Sequence, residues 1–241
     1  MEDRCVTERL QAGLERLGVA ADGVTLDRLA RYHALLTEWN ARIDLTAVLE
    51  PEEMVDRHYL DSAAPLALGL IPQGARVIDV GTGAGLPGIP LCILRPDLRV
   101  TLLDAQRKRV AFLQAAIEAL DLPAQAVHMR AEDAARDEAH REAYDVAVSR
   151  AVAATPTLLE LTLPFVRVGG RAIAWKGPGL QAELEQARRA AHLLGGALEG
   201  VLDAPVPGRD WQHVLLLCGK RQKTARQYPR RAGLPGKNPL G

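Results

Sequence analysis

Residues 76–90 read Arg-Val-Ile-Asp-Val-Gly-Thr-Gly-Ala-Gly-Leu-Pro-Gly-Ile-Pro. A short apolar run carries one acid, Asp79, and ends in glycines at alternate positions, Gly81, Gly83 and Gly85. The pattern predicts a strand that breaks into a tight turn and feeds a helix. Glycine there allows φ > 0 and lets another group approach the backbone closely. After residue 75, β-rich runs at Arg76–Val80, Arg99–Leu103, Ala126–Met129, Tyr144–Ser149 and Arg171–Trp175 alternate with helical segments at Leu86–Leu94, Gln106–Leu120, Glu132–Arg141 and Thr155–Phe165. Alternation of this kind predicts a mostly parallel α/β sheet covered on both faces. A further helix over Gln181–Leu194 precedes two runs, Ala197–Leu202 and His213–Leu217, that predict a closing antiparallel pair and bring the sheet to seven strands.

Ligands of such sheets lie at the C-terminal ends of the strands, where strand order reverses. Asp79, Asp104, Arg130, Arg150 and Lys176 all fall at or just after predicted strand ends and are expected to converge. The acid before the first glycine disfavours a phosphate, because bare N–H groups at a helix N-terminus already attract anions. A carboxylate suits a ligand with cationic and hydroxylated parts, and S-adenosylmethionine has both. Gly83–Gly88 also satisfies the GxGxxG dinucleotide pattern, but Asp79 opposes a pyrophosphate and Pro87 removes an N–H donor. Asp104 is placed to accept ribose hydroxyls or to cap the following helix. Glu132 is placed to meet an adenine edge or to complement a helix dipole.

The run Asp145–Arg150 delivers Ser149 and Arg150 to the edge where a transferred methyl group belongs. No Asn/Asp-Pro-Pro-Tyr segment follows it, which argues against methylation of an exocyclic adenine nitrogen. Methylation of pyrimidine C5 needs a nucleophilic Cys, yet Cys92 and Cys218 sit in apolar runs that predict burial. A target with its own in-plane lone pair, such as purine N7, needs neither nucleophile nor base. Arg150 would hold a phosphate, the base O6 or the cofactor carboxylate, or else form a structural ion pair. His58 and Lys176 are candidates to line the substrate side.

Residues 1–70 predict a helical extension, with an N-cap at Thr25 and a core stripe of Leu29, Tyr32, Leu36 and Trp39. Residues 71–219 form the α/β unit. Residues 220–241 hold seven of the 30 basic residues and none of the 30 acidic ones. This Pro/Gly-rich tail predicts an extended or disordered segment, with Lys220, Arg221, Lys223, Arg226, Arg230 and Arg231 available to a polyanion. The three cysteines are far apart, which fits a reducing cytoplasm and predicts neither a disulfide framework nor a metal site. No apolar run is long enough to span a bilayer, and the acidic start lacks a signal peptide's apolar segment.

The chain resembles the RsmG (GidB) family of bacterial small-subunit rRNA methyltransferases. The resemblance rests on Trp39-Asn40, Asp44–Thr46, Arg57-His58 with Leu60–Ser62, Asp79–Pro90, Leu103-Asp104 with Lys108-Arg109, Ala131-Glu132, Ser149–Ala151 and Lys176-Gly177. The continuation Gly85-Leu-Pro-Gly-Ile-Pro90 is its most specific part, while Asp44 stands where Asn is usual. The resemblance implies a class I S-adenosylmethionine-dependent methyltransferase fold and transfer to N7 of guanine 527 in the 530 loop of 16S rRNA. It implies S-adenosyl-L-methionine contacts at Gly81, Leu86, Ala131, Glu132 and Arg150, with Asp104 at the ribose. It also implies a cytoplasmic location and, as partner, 16S rRNA or the small ribosomal subunit or its precursor. A monomer is expected.

Overall fold

In the computed structural model, residues 2–204 and 206–241 are described, residues 2–5 by backbone alone. Two helices open the chain, α1 (Glu2–Leu17) and α2 (Gly23–Asn40). The cap of α2 is Asp22 rather than Thr25: Asp22 Oδ1 accepts the Thr25 N–H and hydroxyl, both at 2.8 Å. Asp outranks Thr as an N-cap, and its charged oxygen takes both Thr25 donors, which accounts for the shift. The predicted stripe is the buried face, with Leu29, Tyr32 and Leu36 at 0% exposure. Trp39 packs against Phe112 at 5.7 Å between ring centroids. Next come α3 (Pro51–Met54), a π turn (Val55–Leu60) and α4 (Asp61–Ala67).

Seven strands follow: β1 (Arg76–Val80), β2 (Arg99–Asp104), β3 (Ala124–His128), β4 (Tyr144–Arg150), β5 (Val166–Lys176), β6 (Gly196–Asp203) and β7 (Val214–Lys220). Their spatial order is β3-β2-β1-β4-β5-β7-β6, and β7 alone runs antiparallel to its neighbours. The order reverses between β1 and β4, which are paired directly. β1 is apolar on both faces, as a covered parallel strand must be. Val77 joins a cluster with Leu29, Tyr32, Ile89, Phe112 and Leu113, so the N-terminal helices share the sheet's core. Ile78 and Val80 face the other cluster, with Leu159, Phe165 and Ala187.

Between the strands lie α5 (Gly88–Leu94), α6 (Arg107–Leu120), α7 (Ala131–Ala134), α8 (Thr155–Thr162) and α9 (Leu180–Leu193). The helix predicted over Glu132–Arg141 stops at Ala134. The residues beyond it are mostly charged and offer no apolar stripe. Arg141 instead donates to the carbonyls of Thr224 and Tyr228. Thr155 does not cap α8 with its own hydroxyl. Its N–H donates to Glu183 Oε2 at 2.7 Å and its hydroxyl donates to the same oxygen, so an acid on α9 serves that helix start.

The basic tail is neither extended nor loose. It wraps the outer faces of α7, α8 and α9 and ends in a short helix, α10 (Leu234–Lys237). Arg230 clasps Glu160, which is 0% exposed, with Nε at 2.9 Å from Oε1 and Nη2 at 2.6 Å from Oε2. Thr157 Oγ1 donates to the Pro235 carbonyl, and Leu240 is buried in the cluster with Ala187 and Ala190. Low apolar content made this segment read as unable to fold. Buried acids on the body take partners from it, Glu160 from the Arg230 guanidinium and Glu132 from the Gly233 N–H.

Candidate active site

The turn after β1 is built around Asp79. This acid is fully buried, and its Oδ2 accepts the Thr82 hydroxyl at 2.6 Å and the Gly88 N–H at 2.8 Å. Gly88 has to be glycine: a Cβ there would lie 2.8 Å from Asp79 Oδ2 and 2.3 Å from Leu102 Cδ2. Asp79 Oδ1 is buried and accepts nothing. Burial pushes the carboxyl up to about 6, against the pull of its hydrogen bonds. Gly81, Gly83 and Gly85 all have φ between +59° and +88°, the left-handed region where glycine is favoured.

Asp104 stands on the neighbouring strand end, but the cap position of α6 is Gln106, which makes no side-chain cap bond, so Asp104 braces the two turns instead. Its Oδ1 accepts the Gln106 N–H at 2.8 Å and its Oδ2 the Gly83 N–H at 3.0 Å. Each oxygen keeps a second lone pair for a ribose hydroxyl. Gly81, Asp104, Ala131, Glu132 and Leu161 line a cavity of about 150 Å³. Glu132 Oε1 accepts the Gly233 N–H at 2.8 Å, a tail contact that the sequence did not foretell. Leu86 is buried in the core cluster beside the turn.

Across the switch point lies a second cavity, about 480 Å³, lined by Arg57, His58, Asp61, Arg150, Trp175 and Lys176 among others. That size suits a nucleobase-scale ligand, since small-molecule sites run from roughly 300 to 1,000 Å³. Residues 151–153 divide the two spaces. Ala151 and Ala153 line the larger cavity and Val152 the smaller, with Val152 seated over Gly81. Ala151 holds φ +56°, a conformation that costs a non-glycine residue about 1 kcal/mol or more.

Arg150 is paired within the protein. Its Nη1 donates to Asp61 Oδ2 at 2.8 Å and to the Arg57 carbonyl at 2.7 Å. Asp61 Oδ1 meets His213 Nδ1 at 3.0 Å, and its backbone carbonyl accepts from Trp175 Nε1. The ion-pair reading of Arg150 therefore holds, and the pair itself lines the larger cavity. His58 lines it too, bonded through Nε2 to Thr46 Oγ1 at 2.8 Å, while its buried Nδ1 has no partner. Burial, then the Arg150 charge, holds His58 down at about 4, so it is neutral near pH 7. Lys176 pairs with Glu183 at 3.0 Å.

Ser149 is moved out of the reacting centre. It is 0% exposed and its hydroxyl donates to the Val80 carbonyl at 2.8 Å, joining β4 to β1. Two tail cations also lose their expected role as free contacts. Lys220 is buried, bonded to the Leu163 carbonyl at 2.7 Å and to Thr224 Oγ1 at 2.5 Å, and burial pushes it down to about 8. Arg230 is spent on Glu160. Arg221 is exposed but paired with Glu199 at 2.9 Å, whereas Lys223, Arg226 and Arg231 face solvent. Asp61, Trp175 and His213 were absent from the sequence-derived site. Asp61 lay three residues from His58 and was the one within reach of local reading, while the other two arrive through tertiary pairing.

A pyrophosphate finds little at α5. The Gly88 N–H is taken by Asp79, the Ile89 N–H donates to the Gly85 carbonyl, and Pro87 and Pro90 have none. The residues fit S-adenosylmethionine instead. They present an unmet buried acceptor at Asp79, a glycine cradle and a carboxylate at Asp104 with lone pairs to spare. The thiols of Cys92 and Cys218 are buried and pushed up to about 12, far from nucleophilic.

A family model described as rRNA small subunit methyltransferase G (GidB) matches residues 25–204. The ribosomal RNA small subunit methyltransferase G of Symbiobacterium thermophilum is 44% identical over 237 residues, covering 96% of both chains. That of Alkaliphilus metalliredigens is 42% identical over 232 residues, covering 96% of this chain and 97% of its own. Among solved structures, a branched-chain polyamine synthase mutein from Thermus thermophilus aligns with TM-score 0.57 at 17% identity. It covers 80% of this chain and 64% of that one, a likeness of fold alone.

Proposed function

The chain belongs to the rRNA small subunit methyltransferase G (GidB) family of S-adenosylmethionine-dependent methyltransferases, and from that premise we propose that it methylates N7 of guanine 527 in the 530 loop of 16S rRNA. The observation that carries the reading is the meeting of two spaces at one switch point. The cavity lined by Gly81 and Asp104, with Asp79 buried behind the glycine turn, lies on one side of residues 151–153, and the cavity above the Asp61–Arg150 pair lies on the other. When bound, S-adenosylmethionine supplies a sulfonium methyl group open to direct displacement by a ring nitrogen lone pair.

Asp79 Oδ1 and Asp104 hold the cofactor's cationic and ribose parts, and Gly81 gives its backbone room. Leu86, Ala131 and Glu132 complete that side. Arg150, fixed by Asp61, orients the guanine or the cofactor carboxylate. His58 and Lys176 bound the guanine pocket. His58, neutral at pH 7, is not a general acid there, and attack by N7 releases no proton. Positioning then supplies the acceleration, in principle up to roughly 7–11 kcal/mol. The exposed tail cations Arg221, Lys223, Arg226 and Arg231 contact rRNA phosphates, and Lys220 and Arg230 hold the segment that presents them. The protein acts as a cytoplasmic monomer on 16S rRNA, the small subunit or its precursor.

The test is mass mapping of the methyl group on small-subunit rRNA after incubation with the protein and cofactor. A methyl on N7 of guanine 527 is expected, and a methyl elsewhere refutes the site assignment. Loss of transfer in the Asp79→Ala, Asp104→Ala double variant would support the cradle; retained transfer sinks it. Single-turnover transfer by Arg150→Ala at saturating cofactor should slow, and an unchanged rate removes Arg150 from the centre.

A further inference from the structure

Two walls of the cofactor cavity are fastened by the same piece of chain. On α7, Glu132 accepts the Gly233 N–H. On α8, Leu161 lines the cavity, while its neighbour Glu160 is clasped by Arg230 and Thr157 is bonded to Pro235. Gly233 holds φ +80° at the start of α10, so its backbone is shaped to aim an N–H that a β-branched residue would not present there. Arg136 on the other side of α7 also donates to the Pro229 carbonyl at 2.6 Å. The segment therefore bridges α7 and α8 from outside the pocket that they line.

We propose that residues 228–237 are a strap that positions Glu132 and Leu161, so that docking of the strap and binding of the cofactor's nucleoside end favour one another. The inference rests on the reading that this cavity takes S-adenosylmethionine. Gly233 and Arg230 are positioning residues, since neither lines the cavity. A strap whose local opening does not involve the cavity would open at the same equilibrium with and without ligand. A coupled strap has to respond to it, because an equilibrium coupling acts by the same factor in both directions.

The probe is S-adenosylhomocysteine, bound to the full chain and followed by hydrogen exchange. Exchange across 228–237 is expected to slow at least fivefold at saturation, the lower end of ordinary couplings. The Glu160→Gln, Arg230→Gln double variant keeps a neutral hydrogen-bonding pair and touches no cavity residue. It should exchange faster in the strap and bind the probe at least fivefold more weakly by calorimetry. Unchanged strap exchange in a wild-type sample that calorimetry shows to be saturated overturns the coupling. So does unchanged probe affinity in the double variant once its strap has loosened. A wild-type protein that binds no probe at all refutes the cofactor reading instead, and the coupling falls with it.

Discussion

Replacing Arg230 by Ala isolates what the tail does for the fold. The variant loses the Nε and Nη2 bonds to Glu160 and the Nη2 bond to the Asn238 carbonyl. One contact survives, from the residue 230 N–H to Glu160 Oε1. Glu160 is 0% exposed in the intact protein, so its charge is left in a mostly enclosed site without a cation. Breaking a buried pair by removing one partner costs roughly 3–5 kcal/mol. The Arg230 side chain is 19% exposed and one hydrogen bond is kept, which sets the expectation at the low end, about 3 kcal/mol. For a domain of this size that is a fall in Tm of roughly 6–12 °C. Urea unfolding and calorimetry measure it. The Glu160→Ala, Arg230→Ala double variant removes the stranded charge and should recover part of the loss, and the cycle gives the coupling. A loss below about 1 kcal/mol, the range of exposed pairs, would refute the view that this segment is part of the folded body.

The tail cations divide into two kinds. Lys223→Ala, Arg226→Ala and Arg231→Ala should each lower the salt slope of rRNA binding by about 1, whereas Lys220→Ala should lower stability and leave that slope unchanged. Gly88→Ala should cost about 1–3 kcal/mol by unfolding, because its Cβ overlaps the buried side chains of Leu102 and Asp79, which must move to admit it. Asp79, raised from 3.8 to about 6, contributes stability that is fully present below about 4 and is lost as pH rises through about 6. The difference in urea midpoint between wild type and Asp79→Asn should therefore change between pH 4 and 6 and flatten above. A constant difference would show that the acid is not raised. His58→Asn should leave the pH–rate profile between 6 and 8 without a lost limb, since His58 is already neutral there.

Much of this was written in the chain's local chemistry. Strands such as β1 and β2 are apolar runs closed by an acid, and glycine spacing marked the turn, so Asp79 and Asp104 could be placed without coordinates. Local pattern says nothing of which carbonyl a buried hydroxyl will find. Ser149 looked like a group at a strand end and proved to be a link to Val80. Arg150 could be placed at the pocket, but its partner Asp61 lies 89 residues away on another element. The tail misled most, because its fold depends on charges carried elsewhere. Glu142 and Glu160 carry no local signal and Glu132 reads as an adenine-edge or helix-dipole acid, yet each receives a bond from residues 224–233.

The Glu160–Arg230 clasp also has a consequence for the order of events in synthesis. The two residues are 70 positions apart, with the acid made first. While the chain emerges, α8 presents a carboxylate to its own interior before the neutralising guanidinium exists. The sheet through β7 is already translated at that stage, and Leu158 and Leu159 can seat α8 on it while Glu160 still lacks its partner. A message truncated between codons 221 and 229 would therefore yield a protein with every strand present and a charged hole in its side. Shortening this end is equivalent to a core mutation, although no core residue has been changed.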